Sequence, residues 1–148
     1  MSRIDFAFGV RDRLRTACEI IRKHYLAGRE IVIYTQDAKL LERMDLLLWG
    51  FDAAAFVPHV TVNDSLAART PVTLTTQPPV ARLPVQSSKQ AAWLLNLDAQ
   101  CPPNVGQFER VLEIVSNSDE DRQSARERWR NYKADGHILH AHDFAKRA

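Results

Sequence analysis

A chain of 148 residues with 45% hydrophobic content has room for one globular domain, 1–148, able to bury its own core, and none for a second. Its 20 Lys+Arg against 18 Asp+Glu leave a net charge of +2, which does not imply a strong general affinity for nucleic acid and requires any basic surface to be local. Cys18 and Cys101 stand far apart in no metal-ligand spacing, no signal-peptide pattern precedes the charged run from Arg11, and no apolar run approaches the roughly 18 residues of a membrane span. The expectation is a cytoplasmic protein with two free thiols and no membrane partner.

From the start of the chain, Ile4 to Phe8 alternates briefly and stops at Gly9, which reads as a short strand. Beyond Asp12, apolar positions Leu14, Ala17, Cys18, Ile21 and Tyr25 recur at helical spacing, and Gly28 ends the helix. Glu30 to Thr35 is a β-branched run suited to a strand covered on both faces, and Asp37 caps a helix carrying Leu40, Leu41, Met44, Leu47 and Leu48. Strand and helix alternate, so the expectation is an α/β domain with a mostly parallel sheet, helices on both faces and a Rossmann-like topology. Phosphate binding needs a glycine-rich turn, yet neither GxGxxG nor GxxxxGK[ST] occurs, and the turn Thr35-Gln36-Asp37 would crowd and repel a pyrophosphate. The domain is expected to lack a phosphate loop.

The stretch from Trp49 to Leu66 sets Trp49, Phe51 and Phe56 among small residues, with Pro58 discouraging a helix or a central strand. These aromatics either plug one end of the core or form an exposed patch that holds a partner. His59 is expected to hydrogen-bond within a turn. Pro71 to Thr76 and Ala92 to Leu97 read as strands, joined by a surface connection with Pro78, Pro79, Pro84, Gln86, Ser87, Ser88 and Lys89. A second loop, Asp98 to Gly106, leads to a strand at Val111, giving five to six strands and three main helices.

The helix that follows has both ends signalled: Ser118 as N-cap, Asp119, Glu120 and Asp121 in the first turn, and Gly136 able to turn left-handed at the end. At about 100° per residue, with Arg122 at zero, Lys133 falls at about 20°, Arg126 at about 40° and Arg130 at about 80°. Ala125, Trp129 and Tyr132 fall at about 300°, 340° and 280°, so a basic stripe without interleaved acids borders an aromatic one. An ordinary amphipathic helix turns such aromatics to the core and its arginines to water. The border also suits a ligand that carries both carboxylates and an apolar anchor.

His137, His140, His142 and Asp143 form the one dense group of candidate ligands, but no single regular element presents all three histidines together, and no metal or cofactor is expected. The serines lack a GxSxG turn, and neither cysteine has a histidine nearby in the sequence.

The order of elements, LLLWGFDAAAFVPH from Leu46 to His59 and above all ARERWRNYKADG from Ala125 to Gly136, resembles the chi subunit family of the bacterial DNA polymerase III holoenzyme over nearly the whole chain. The tail from His137 onward and the connection from Pro78 to Lys89 match less well. The resemblance implies a non-catalytic replication adaptor with nucleotide-binding-like topology. In that family one surface holds the psi subunit, which tethers chi to the clamp loader. Another takes the acidic C-terminal tail of single-stranded DNA-binding protein, which ends in an aromatic residue. By motif, Trp49 and Phe56 fall on the psi surface, and Val115, Arg122, Arg126, Trp129 and Arg130 on the tail pocket. DNA would then be reached only through that protein. A direct single-stranded DNA-binding module, or an enzyme acting on a small anion at the carboxyl ends of the strands, are the competing classes.

Overall fold

A computed structural model describes residues 1–51, 56–81 and 91–147. Its strands are β1 (Arg3–Val10), β2 (Ile31–Tyr34), β3 (His59–Thr61), β4 (Val72–Thr75), β5 (Trp93–Asn96), β6 (Arg110–Ser116) and β7 (Ile138–Asp143). The helices are α1 (Arg13–Leu26), α2 (Ala38–Gly50) and α3 (Asp119–Ala134), with short 3₁₀ turns at 67–69, 105–107 and 144–147. All strands join one sheet in the order β3-β4-β2-β5-β6-β1-β7, and every pairing is parallel. The α/β expectation holds.

The helix ends follow the expected chemistry. Asp12 accepts from the Arg15 N–H, Asp37 from the Lys39 and Leu40 N–H groups, and Ser118 from the Asp121 N–H. Gly136 takes φ +86°, which lets the His137 N–H reach back to Tyr132 O and sends the chain straight into β7.

Period-two alternation divides the sheet between two cores. On one face Ile31, Ile33, Leu74, Leu95, Leu112 and Ile114 pack under Leu14, Cys18 and Ile21 of α1 and Leu41, Met44 and Leu48 of α2. On the other, Ile4, Phe6, Val32, Leu94, Val111 and Val115 pack under Ala125 and Tyr132 of α3. Helices therefore cover both faces, and none among the described residues is long and apolar enough to cross a membrane. Both cysteines are free.

The described residues form seven strands rather than five to six. The two extra strands lie at the edges of the sheet: β3 is three residues long, directly after Pro58, and β7 has the pattern Ile-Leu-His-Ala-His-Asp, without a clean apolar alternation. Both form because a neighbouring strand offers open main-chain groups, a condition that local sequence does not display. The expected surface loop at Pro84 and Gln86 to Lys89, and the small residues Asp52 to Ala55, lie outside the described residues.

His24, at the end of α1, meets the Trp93 ring edge-on at 5.0 Å. Burial, helped by nearby Arg110, Lys23 and Arg29, pushes its pKa down from 6.5 to about 4. The folded state then resists a proton that the unfolded chain accepts, so its contribution is intact above pH 6.5 and is lost as pH falls towards 4. Because the ring is only half-buried and partly screened by solvent, urea unfolding should show about 1 kcal/mol less stability from this residue at pH 5 than at pH 7, and His24→Gln should remove that part of the pH dependence.

Candidate functional site

Five side chains singled out from the sequence meet in one groove of about 500 Å³: Val115 from the end of β6, and Arg122, Arg126, Trp129 and Arg130 from α3. Phe6 and Phe8 of β1, Ala125 of α3 and Ala141 of β7 complete its walls. The groove lies where α3 packs over β6 and Phe6 of β1 and runs beside β7. The aromatics divide their roles. Tyr132 and Ala125 are buried in the core, while Trp129 is half-buried, tilted against Phe6 at 5.2 Å between ring centroids, and forms part of the wall.

Arg126 and Arg130 are exposed and have neither an ion pair nor a hydrogen bond among the described residues. Arg122 reaches only Asp119, at 3.9 Å. Guanidinium groups without protein partners, set beside an apolar floor, present the two chemistries of a carboxylate-bearing, apolar-ended ligand. Phe6, Phe8 and Ala141 were not among the sequence candidates. The two-residue spacing of Phe6 and Phe8 on a strand is the signal that places both on one face.

Beneath the groove, α3 is pinned to the sheet by a buried polar cluster. Glu113 and Arg128 are each 1% exposed. Glu113 accepts from Arg128 Nε at 3.1 Å, Tyr132 OH at 2.6 Å and Asn96 Nδ2 at 2.8 Å, Asn96 being its neighbour in register on β5. Arg128 Nη1 donates to Ala99 O and Ser124 Oγ. Burial pushes the Glu113 carboxyl up despite Arg128, and pushes the Tyr132 hydroxyl up as well, Glu113 adding to the effect. This pair was also missed. Its signals were a glutamate inside the apolar run VLEIV and an arginine at about 240° on the helix wheel, beside Tyr132.

Trp49 and Phe56 lie far from the groove, at the C-terminal end of α2 and just before β3. They are 56% and 61% exposed, with ring centroids 5.3 Å apart, so they form a surface patch rather than a core plug; Phe51 packs on the core instead. His59 is buried, with Nδ1 at 2.6 Å from Val57 O and Nε2 at 3.1 Å from Asp45 O, and its ring braces Trp49 at 4.7 Å.

Of the three C-terminal histidines, His137 precedes β7 while His140 and His142 share one face of it. His137 Nδ1 accepts from the Ser2 N–H, His140 is exposed, and His142 Nε2 lies 2.8 Å from Asp5 Oδ1. Burial pushes the Asp5 carboxyl up, but His142, Arg110 and Arg3 outweigh it and hold the carboxyl below its ordinary value. At the carboxyl ends of the strands, where related sheets hold phosphates, Asp37, Asp98, Glu120 and Asp121 line the crevice and the Arg13 guanidinium is tied to Leu97 O and Ile114 O. A phosphate there would meet carboxylates.

Fold and groove together define an all-parallel α/β domain whose site combines unpaired guanidinium groups with an apolar wall. Residues 1–140 match the family described as DNA polymerase III chi subunit, HolC. The chain therefore belongs to the DNA polymerase III chi subunit family, and its role is that of an accessory protein of DNA polymerase III. A protein of Pseudomonas aeruginosa named DNA polymerase III subunit chi is 30% identical over 147 residues, covering 96% of each chain. One of the same name from Escherichia coli is 29% identical over 122 residues, covering 82% of this chain and 79% of its own.

Proposed function

We propose that the chain is a non-catalytic adaptor that links the clamp loader, through the psi subunit, to the acidic C-terminal tail of single-stranded DNA-binding protein. The observation that carries this reading is the convergence of Val115, Arg122, Arg126, Trp129 and Arg130 on one groove, in which the Arg126 and Arg130 guanidinium groups have no acidic partner among the described residues. Arg126 grips the terminal carboxylate with two charge-assisted hydrogen bonds, and the space between Trp129, Phe6 and Val115 takes the terminal ring. Trp49 and Phe56 hold psi. They sit on the other face of the sheet and at its other margin, so both partners bind at once.

Burying a phenyl group contributes about 1.5–3 kcal/mol and each hydrogen bond to a charged group about 1.5–3 kcal/mol, against about 2–5 kcal/mol for ordering a flexible tail. The balance points to weak binding on the order of micromolar, which the several tails of an oligomeric partner raise through avidity.

Titration of a fluorescent peptide copying the tail of the host protein, at low and high salt, tests the reading. Saturable binding that weakens with salt and is unchanged in Trp49→Ala supports it. A folded protein that ignores the peptide but binds bare single-stranded DNA would favour the direct DNA-binding module.

A further inference from the structure

The groove is larger than one terminal ring and its carboxylate require, and one of its walls is a sheet margin. Ala141, which lines it, belongs to β7, and among the described residues β7 pairs only with β1. The Ile138 N–H donates to Ser2 O at 3.0 Å, so Ile138, His140 and His142 turn their main-chain groups towards β1. By the alternation of a strand, Leu139 and Ala141 turn theirs to the open side. The edge is six residues long, in unbroken register with β1, and free of the proline, lysine or bulge that commonly blunts exposed edges. The opposite edge, β3, has three residues.

Charge runs along the same line. Arg122, Arg126, Arg130 and Lys133 descend the exposed side of α3, which packs beside β7. From Arg122 to Lys133 the helix advances about 16 Å, close to the length of five extended residues. The carboxylate end of the groove lies towards the start of α3 and the finish of β7. A chain that places its terminus there and its preceding acids along the arginines runs in the same direction as β7.

We propose that the acidic tail adds to the sheet as a further strand, parallel to β7, with its main chain bonded to Leu139 and Ala141 and its alternate side chains turned to the basic stripe of α3. The proposal rests on the reading of the groove as the tail site and specifies how the tail is held. Main-chain bonds then supply affinity that does not depend on the identity of the acidic residues, while the groove selects the terminal residue.

A set of tail peptides, each carrying one backbone N-methyl group, separates this pose from simple charge attraction. An added strand gives alternation: methylation at the residues whose N–H faces β7 weakens binding about tenfold or more, and methylation at the residues between leaves it within about twofold. Equal weakening at all positions, or none, overturns the added strand while leaving the groove reading in place. Failure of the unmethylated peptide to bind overturns both. Amide protection of Leu139 and Ala141 that rises with protein concentration in the absence of peptide would assign the edge to a second copy and also overturn the proposal.

Discussion

Arg128→Met is expected to lower the unfolding free energy by about 3–5 kcal/mol, because it leaves the Glu113 carboxylate in the core without its counter-charge. Glu113 keeps only Tyr132 OH and Asn96 Nδ2, two neutral donors, where it had a guanidinium at 3.1 Å. The sign of the pH dependence identifies the cause. Burial already raises the Glu113 pKa, and removing Arg128 raises it further. A carboxyl whose folded pKa exceeds its unfolded value favours folding below the unfolded value and loses that contribution as pH rises through the folded one. The variant should therefore regain stability as the pH falls from neutral, opposite to the effect of His24. Neutralising both partners, as Glu113→Gln with Arg128→Met, should recover most of the loss, since the cost arises from the unpaired charge more than from the missing bond. Urea unfolding of the three proteins between pH 7 and pH 5 checks this; a single variant within about 1 kcal/mol of the parent would show that the pair is not a stabilising contact.

Arg126→Ala should weaken binding of the tail peptide by about 10- to 150-fold, the factor that corresponds to losing about 1.5–3 kcal/mol from a hydrogen bond to a charged group. Folding should be nearly unaffected, because Arg126 is exposed and has no protein partner among the described residues. The salt dependence of the remaining binding should also be shallower, one full charge having left the stripe. Arg126→Lys should recover part of the affinity but not all, since an ammonium cannot grip a carboxylate with two parallel donors. Peptide titration with calorimetry or fluorescence measures each. Equal losses for Arg126→Ala and for Lys133→Ala would mean that the stripe attracts the tail without a specific carboxylate grip.

Most regular elements were legible because their information is local. The β-branched run at Ile31–Tyr34 and the helical spacing of Leu14, Ala17, Cys18 and Ile21 state both the element and its buried side. The caps Asp12, Asp37 and Ser118 and the turn at Gly136 were equally readable, since each acts on main-chain groups within a few residues. The stripe of α3 was legible for the same reason: a helix turns its residues by a fixed angle, so the position of Arg126 relative to Trp129 needs no tertiary information.

What local sequence did not display depended on residues distant in the chain. β7 is a strand because β1 presents an open edge to it, and Trp49 is exposed while Leu48 and Phe51 on either side of it pack on the core. The arginines of α3 look alike as a string, yet Arg128 is buried against a glutamate 15 residues earlier while Arg126, two residues away, points to water. The sequence by itself determined the α/β architecture, the helix boundaries and the side of α3 that carries charge, because these follow from periods and caps. Only the tertiary structure decided which arginine is locked in the core, and that Phe6, Phe8 and Ala141 close the groove around the others. Those choices are made by contacts between separate strands, where burial and pairing energies outweigh local preference.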